Sequence, residues 1–129
     1  MRPERAGPPL AHTDIDRWLP LRPVDFHILL VLTDAPVHGY AMVKEIEARS
    51  GGRIRLEPGN LYRYLRRLVD GGLVAPDVRR LARDSDDERR RYYRVTPLGK
   101  RVLGAEGARM RALAADVEAR VPLPREPGP

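Results

Sequence analysis

Cysteine is absent from the 129 residues, so no disulfide can staple the fold and no thiolate can hold a metal. The compartment this fits is the reducing cytoplasm. Long apolar runs are missing too. The longest unbroken aliphatic stretch, Ile28 to Leu32, is far short of the roughly 20 residues that a bilayer span needs, and the opening MRPERAGPPLAH has no apolar signal core. Histidine is limited to His12, His27 and His38, scattered between a tail and two helical stretches. There is no nucleophile elbow, phosphate-cradling glycine loop or metal cluster. The expectation is a cytoplasmic protein that is not an enzyme, has no cofactor and does not enter a membrane.

Lysine is also scarce: of 24 basic residues, 22 are arginine. The acids number 18, leaving a net charge of +6, and residues 38–101 hold 16 of the bases but only 9 of the acids. The positive excess therefore belongs to the middle of the chain, which favours a polyanionic partner such as nucleic acid.

Proline marks both ends. Pro3, Pro8 and Pro9 stud residues 1–12, and PLPREPGP closes the chain, so 1–12 and 122–129 are expected to be disordered tails around a fold running from 13 to 121. Within it, TDIDRWLPL predicts a short helix capped by Thr13 or Asp14 and ended by Pro20. RPVDFHILLVLTDAP predicts a second, with Pro23 in its first turn and Asp25 set for the helix dipole. Its Val24, Ile28, Val31 and Leu32 form one arc with Phe26 and Leu30 opposite, and a helix apolar on all sides is a buried one. A break over Asp34 to Val37 precedes a third helix, HGYAMVKEIEARSGG. EPGNLYRYLRRLVDGGLV supplies a fourth. LVAPDVRRLA and RRRYYRVT read as two strands of a hairpin around the loop RDSDDE. Thr96 and Pro97 then start a long helix reaching about Val121.

Helices, then a ribbon, then a long helix give a mainly α fold: a winged helix-turn-helix with a three-helix core and a two-stranded wing over 13–96, and a C-terminal dimerisation helix over 97–121.

The fourth helix has two chemistries. Leu61, Leu65, Leu68 and Val69 span about 100° of the wheel and face a core. Asn60, Arg63, Arg66 and Arg67 fall opposite, with Tyr62 and Tyr64 at the borders. Asparagine pairs bidentately with adenine and arginine with guanine, each worth about 1–3 kcal/mol of discrimination. Asn60 and Arg63 are thus the candidate base readers, and Arg66, Arg67 and the Tyr62 hydroxyl the candidate phosphate contacts. Gly59, lacking a side chain, would let the helix start approach the DNA backbone closely. An arginine-rich face alone is more often a plain solvated surface, and it is the order of parts around this helix that favours DNA.

The ribbon adds Arg79, Arg80 and Arg83 on one limb and Arg89, Arg90, Arg91 and Arg94 on the other. Its tip carries Asp84, Asp86, Asp87 and Glu88, which repel phosphate, so contact is assigned to the limbs. Those acids lack the glycine and distal glutamate of an EF-hand, so no metal is expected there.

Taken together, His38-Gly39-Tyr40, Pro58-Gly59-x-Leu61-Tyr62, Gly72-Leu73 and Tyr92-Tyr93-Arg94-x-Thr96-x-x-Gly99 resemble the signature of the PadR-like family of bacterial transcriptional regulators over about residues 24–104. The resemblance implies a homodimeric repressor of a palindromic operator, often released by a small molecule, with 58–70 as recognition helix and 97–121 as dimer helix. The single terminal helix resembles the family's smaller subclass. Two positions depart from the pattern: Glu57 stands where the family has serine or glycine, and Asn60 where it has threonine or serine.

In the terminal helix, Leu103, Gly107, Met110, Ala114, Val117 and Val121 advance by fours and threes, a heptad seam. With the neighbouring Leu113, and with Trp18, Leu19 and Leu21 from the N-terminal helix, it forms the expected dimer interface. The expected partners are double-stranded DNA, a second copy of the chain, and a small aromatic or hydrophobic effector. Trp18, the one tryptophan, is better read as core or interface than as the lining of an effector pocket. The competing function is a winged-helix module that docks an acidic protein partner.

Overall fold

Prolines and threonine set where the helices begin. In the computed structural model, which describes residues 14–77, 91–122 and 124, Pro23 opens α1 (Pro23–Leu32). Helix α2 (Gly39–Arg49) follows His38, whose Nδ1 accepts a hydrogen bond from the Ala41 amide at 3.2 Å. Pro58 opens α3 (Pro58–Asp70), where Glu57 occupies the cap position without a side-chain hydrogen bond. Thr96 caps α4 (Pro97–Arg120), its Oγ1 accepting from the Gly99 amide at 3.0 Å and donating to the Gly72 carbonyl at 2.6 Å. A helical turn at 14–16 precedes α1, and both tails and the loop over 78–90 lie outside the described residues.

The strands are shorter and one more numerous than the two-stranded wing expected. Val37–His38 (β1), Val74–Pro76 (β2) and Tyr92–Val95 (β3) form an antiparallel sheet in the order β1-β3-β2. The registers are Val37 with Tyr93, His38 with Tyr92, and Val74 with Val95. The segment taken as a plain break before α2 therefore pairs with the wing's returning strand. His38 and Tyr92 meet edge to face at 5.3 Å, so the residue that caps α2 also anchors the sheet.

Beneath the sheet the core is contiguous. Ile28 and Leu29 of α1, Met42 and Ile46 of α2, Leu61, Leu65 and Leu68 of α3, Leu73 with Val74 of β2, and Val102 of α4 are all sealed from solvent. Helix α1 is the centre, packing on α2, α3, α4 and β3, as its all-round apolar surface requires. Two motif glycines are close-packing sites. A Cβ on Gly99 would lie 2.2 Å from the Leu73 carbonyl oxygen, and one on Gly39 would lie 2.6 Å from the Tyr62 hydroxyl.

Only the first part of α4 joins this core. Gly99, Val102 and Glu106 are buried, whereas from Met110 onward every described residue is exposed. Its 24 residues extend about 36 Å, so more than a third of that length projects from the body. Glu106 ties the N-terminal segment to α4: its carboxylate accepts from the Leu21 amide at 3.2 Å and takes two bonds from Arg109, at 2.7 and 2.8 Å.

Candidate nucleic-acid interface

Helix α3 owes its orientation to its leucines. With Leu61, Leu65 and Leu68 locked against α1 and α2, the opposite face must look outward. Gly59, Asn60, Arg63 and Arg66 are all exposed. An ideal Cβ on Gly59 would meet nothing within 4 Å, so this glycine answers to no packing need inside the described chain. Asn60 Oδ1 accepts from Arg63 Nη2 at 2.6 Å, one turn along the helix. The two candidate base readers are thus hydrogen-bonded to each other at the helix start.

The remaining α3 positions separate. Tyr62 is half-buried, its ring over Gly39, and so joins α3 to the start of α2. Arg66 shares with Arg91, Tyr62, Pro76 and Tyr93 a cleft of about 150 Å³ between α3 and the sheet. This brings one candidate from the helix and one from the wing onto a single surface. Arg94 is exposed on β3. Arg79, Arg80, Arg83, Arg89 and Arg90 lie outside the described residues, as does the acidic tip.

Arg67 differs from its position on the wheel. Its guanidinium turns back to the carboxylate of Asp25, the α1 residue assigned to the helix dipole, and covers the ring of Trp18 at 5.3 Å. Asp25 is itself almost wholly buried. Burial raises its pKa above the usual carboxylate range, and Arg67, by charge and hydrogen bond, and then Arg22, by charge, pull against that rise. A helical wheel gives an angle and not a partner 42 residues away.

A second depression, of about 410 Å³, is lined by Arg22, Leu56, Asn60, Arg63, Tyr64 and Arg67. Arg22, the cap residue of α1, was missed from sequence. The only signal for it was an arginine immediately before a helix-starting proline, which is common on surfaces. Among the described residues, neither Arg22 nor Arg63 makes an ion pair with a carboxylate, and Arg22 acts on Asp25 only through its longer-range charge.

The expected dimer residues also divide. Trp18 is half-buried on the chain's own fold, with its edge against Gly71 and the guanidiniums of Arg17 and Arg67 on its ring. Leu103 packs against the core. Met110, Leu113, Val117 and Val121 are 42–52% exposed and form an apolar stripe along projecting α4. Gly107 lies on the same helix, and a Cβ there would also meet nothing within 4 Å. Among the described residues no group of three metal-ligating side chains converges, and no helix is long and apolar enough to cross a membrane.

The family model described as the PadR-like family of transcriptional regulators matches residues 28–105. A transcriptional regulator of Mycobacterium tuberculosis is 36% identical over 94 residues, covering 73% of this chain and 81% of that protein. An uncharacterised protein from a Streptomyces fradiae transposon is 38% identical over 96 residues, covering 74% of this chain but 25% of that protein. This chain thus spans about a quarter of the transposon protein's length. The crystal structure of a PadR family transcriptional regulator from Eggerthella lenta is similar with a TM-score of 0.55 at 33% identity, covering 86% of this chain and 96% of that one.

Proposed function

Because the chain belongs to the PadR-like family of transcriptional regulators, matched over residues 28–105, we propose that it is a homodimeric repressor that lays α3 into the major groove of a palindromic operator. The observation that carries this reading is the outward face of α3. Gly59, Asn60, Arg63 and Arg66 are exposed, the arginines have no carboxylate partners among the described residues, and Gly59 leaves open space where any other residue would put a side chain.

In this reading Asn60 and Arg63 meet base edges, and Arg66 and Arg91 grip phosphates from either side of the cleft between α3 and the sheet. The exposed stripe Met110, Leu113, Val117 and Val121 is the dimer seam. One copy presents few phosphate contacts, and pairing two heads about 34 Å apart supplies both affinity and operator symmetry. Release by a small aromatic or hydrophobic effector would act through segment 14–22. It touches the end of α3 where Trp18 meets Gly71, and α4 where Leu21 meets Glu106.

The test is fluorescence anisotropy with labelled DNA from the protein's own promoter region. Binding should weaken steeply with salt and favour the operator over scrambled DNA. Indifference to both salt and sequence refutes the reading. Stoichiometric capture of an acidic protein with no DNA retained would establish the docking-module alternative in its place.

A further inference from the structure

The 410 Å³ depression beside α3 is formed by two elements far apart along the chain. One wall is the first turns of α3, with Asn60, Arg63, Tyr64 and Arg67; the other is Arg22, at the cap of α1. Three guanidiniums therefore face one space, against a single buried carboxylate, Asp25, which Arg67 occupies. The lining itself holds three guanidiniums and no carboxylate, and Asp25, behind it, is shared by the charges of Arg67 and Arg22. Base edges offer hydrogen bonds but no charge, so the guanidiniums beside the base reader Arg63, those of Arg22 and Arg67, suit an anion better than a base. Guanidinium pairs with phosphate oxygens through two parallel bonds, and arginines approaching from different elements can cover different oxygens of one phosphate. Tyr64 and Leu56 complete the lining.

We propose that this depression is a phosphate seat completed by Arg22, and that in the DNA complex it holds a backbone phosphate flanking the bases met by Asn60 and Arg63. The identity of the phosphate as DNA rests on the function proposed above; the seat itself rests on its lining. Arg22 then serves as a register pin. It fixes where the head sits on the duplex, because the packing of α1 on α3 holds Arg22 at a constant distance from the base-reading face.

Two measurements on the full chain test this, with Arg22→Gln and Arg22→Lys beside wild type and folding checked by circular dichroism. Arg22 is exposed, so both variants should keep the wild-type spectrum. The first measurement is DNA affinity against salt. Loss of one phosphate contact lowers the slope of log affinity on log salt by about 0.9. Arg22→Gln should show that fall and a three- to tenfold loss of affinity, equal on operator and scrambled DNA, while Arg22→Lys should keep the slope. The second is titration with inorganic phosphate and pyrophosphate, read by Trp18, the one tryptophan, whose ring is covered by Arg67. A saturable change in wild type that Arg22→Gln loses supports the seat.

The outcomes separate the two claims. A lost phosphate response with unchanged DNA binding assigns the seat to a free phosphate compound. An Arg22-dependent phosphate response in a protein that binds no DNA overturns the proposed function and leaves the seat standing. If Arg22→Gln retains both the wild-type salt slope and the phosphate response, or if wild type shows no phosphate response and Arg22→Gln no slope change, the seat is refuted.

Discussion

Replacing Gly59 by alanine sets the stability of the protein against its function. Gly59 is the second residue of α3, is exposed, does not adopt a positive φ, and has nothing within 4 Å of the position a Cβ would take. In the isolated chain the new methyl therefore clashes with nothing described and removes glycine's backbone freedom from the unfolded state. The gain expected in a helix is about 0.5–1 kcal/mol. For a domain near 100 residues this raises the melting temperature by about 2–8 °C. In the complex the same methyl points to where the sugar-phosphate backbone would approach the start of α3. Crowding a close contact costs about 1–3 kcal/mol, so DNA affinity should fall by about 5- to 150-fold. Thermal unfolding by circular dichroism and anisotropy with promoter DNA measure the two effects separately. The signature is opposite signs: a more stable protein that binds less tightly. A more stable protein with undiminished affinity would remove Gly59 from the interface and with it the close approach of α3.

Arg63→Ala should relax discrimination between operator and scrambled DNA by about 1–3 kcal/mol, whereas Arg91→Ala should weaken both alike; competition anisotropy that finds the same discrimination loss in both variants contradicts the division into readers and grips. Val117→Asp, on the exposed stripe of α4, should convert the proposed dimer to monomer in sedimentation or light scattering while leaving the core spectrum intact, and a persisting dimer would move the interface elsewhere. Glu106→Gln should cost on the order of 1–3 kcal/mol at neutral pH, since it removes the charge from a buried group accepting three hydrogen bonds. Arg109, first, and the Leu21 amide hold the Glu106 pKa below 4.5, outweighing burial, so its stabilisation is complete above that value and fades as acid protonates it. Wild type should consequently lose its advantage over Glu106→Gln as the pH falls below about 4.5; an advantage that persists until the protein unfolds in acid would show that charge plays no part.

Much of the fold could be read along the chain because local signals were strong. Pro23, Pro58 and Thr96-Pro97 start helices where expected, since each solves a problem of the first turn, unbonded amides or a fixed φ, within a few residues. The leucines of α3 placed its buried face because three and four residue spacing is a property of one helix alone. Strand β1 was not legible: Val37–His38 is two residues long, too short for alternation, and exists because β3 offers it a free edge. Arg67 and Asp25 were each given a plausible role from their own helices, and their pairing depends on how α1 crosses α3. Arg22 was invisible for the same reason. Trp18 and Leu103 were grouped with Met110 and Val117 by apolar character, yet the first two are used inside the chain and the latter two are left outside. Composition cannot tell an apolar residue that finds its partner at home from one that does not.

The projection of α4 beyond Glu106 makes the terminal helix a ruler. In the proposed dimer, the spacing of the two heads is set by where along the Met110 to Val121 stretch the second copy crosses. A slip of one heptad shifts that crossing by about 10 Å, close to the rise of three DNA base pairs. In that dimer the seam residues would set operator length without touching the operator. Insertions or deletions in this half of the helix should change which half-site spacing the protein tolerates before they change which bases it prefers.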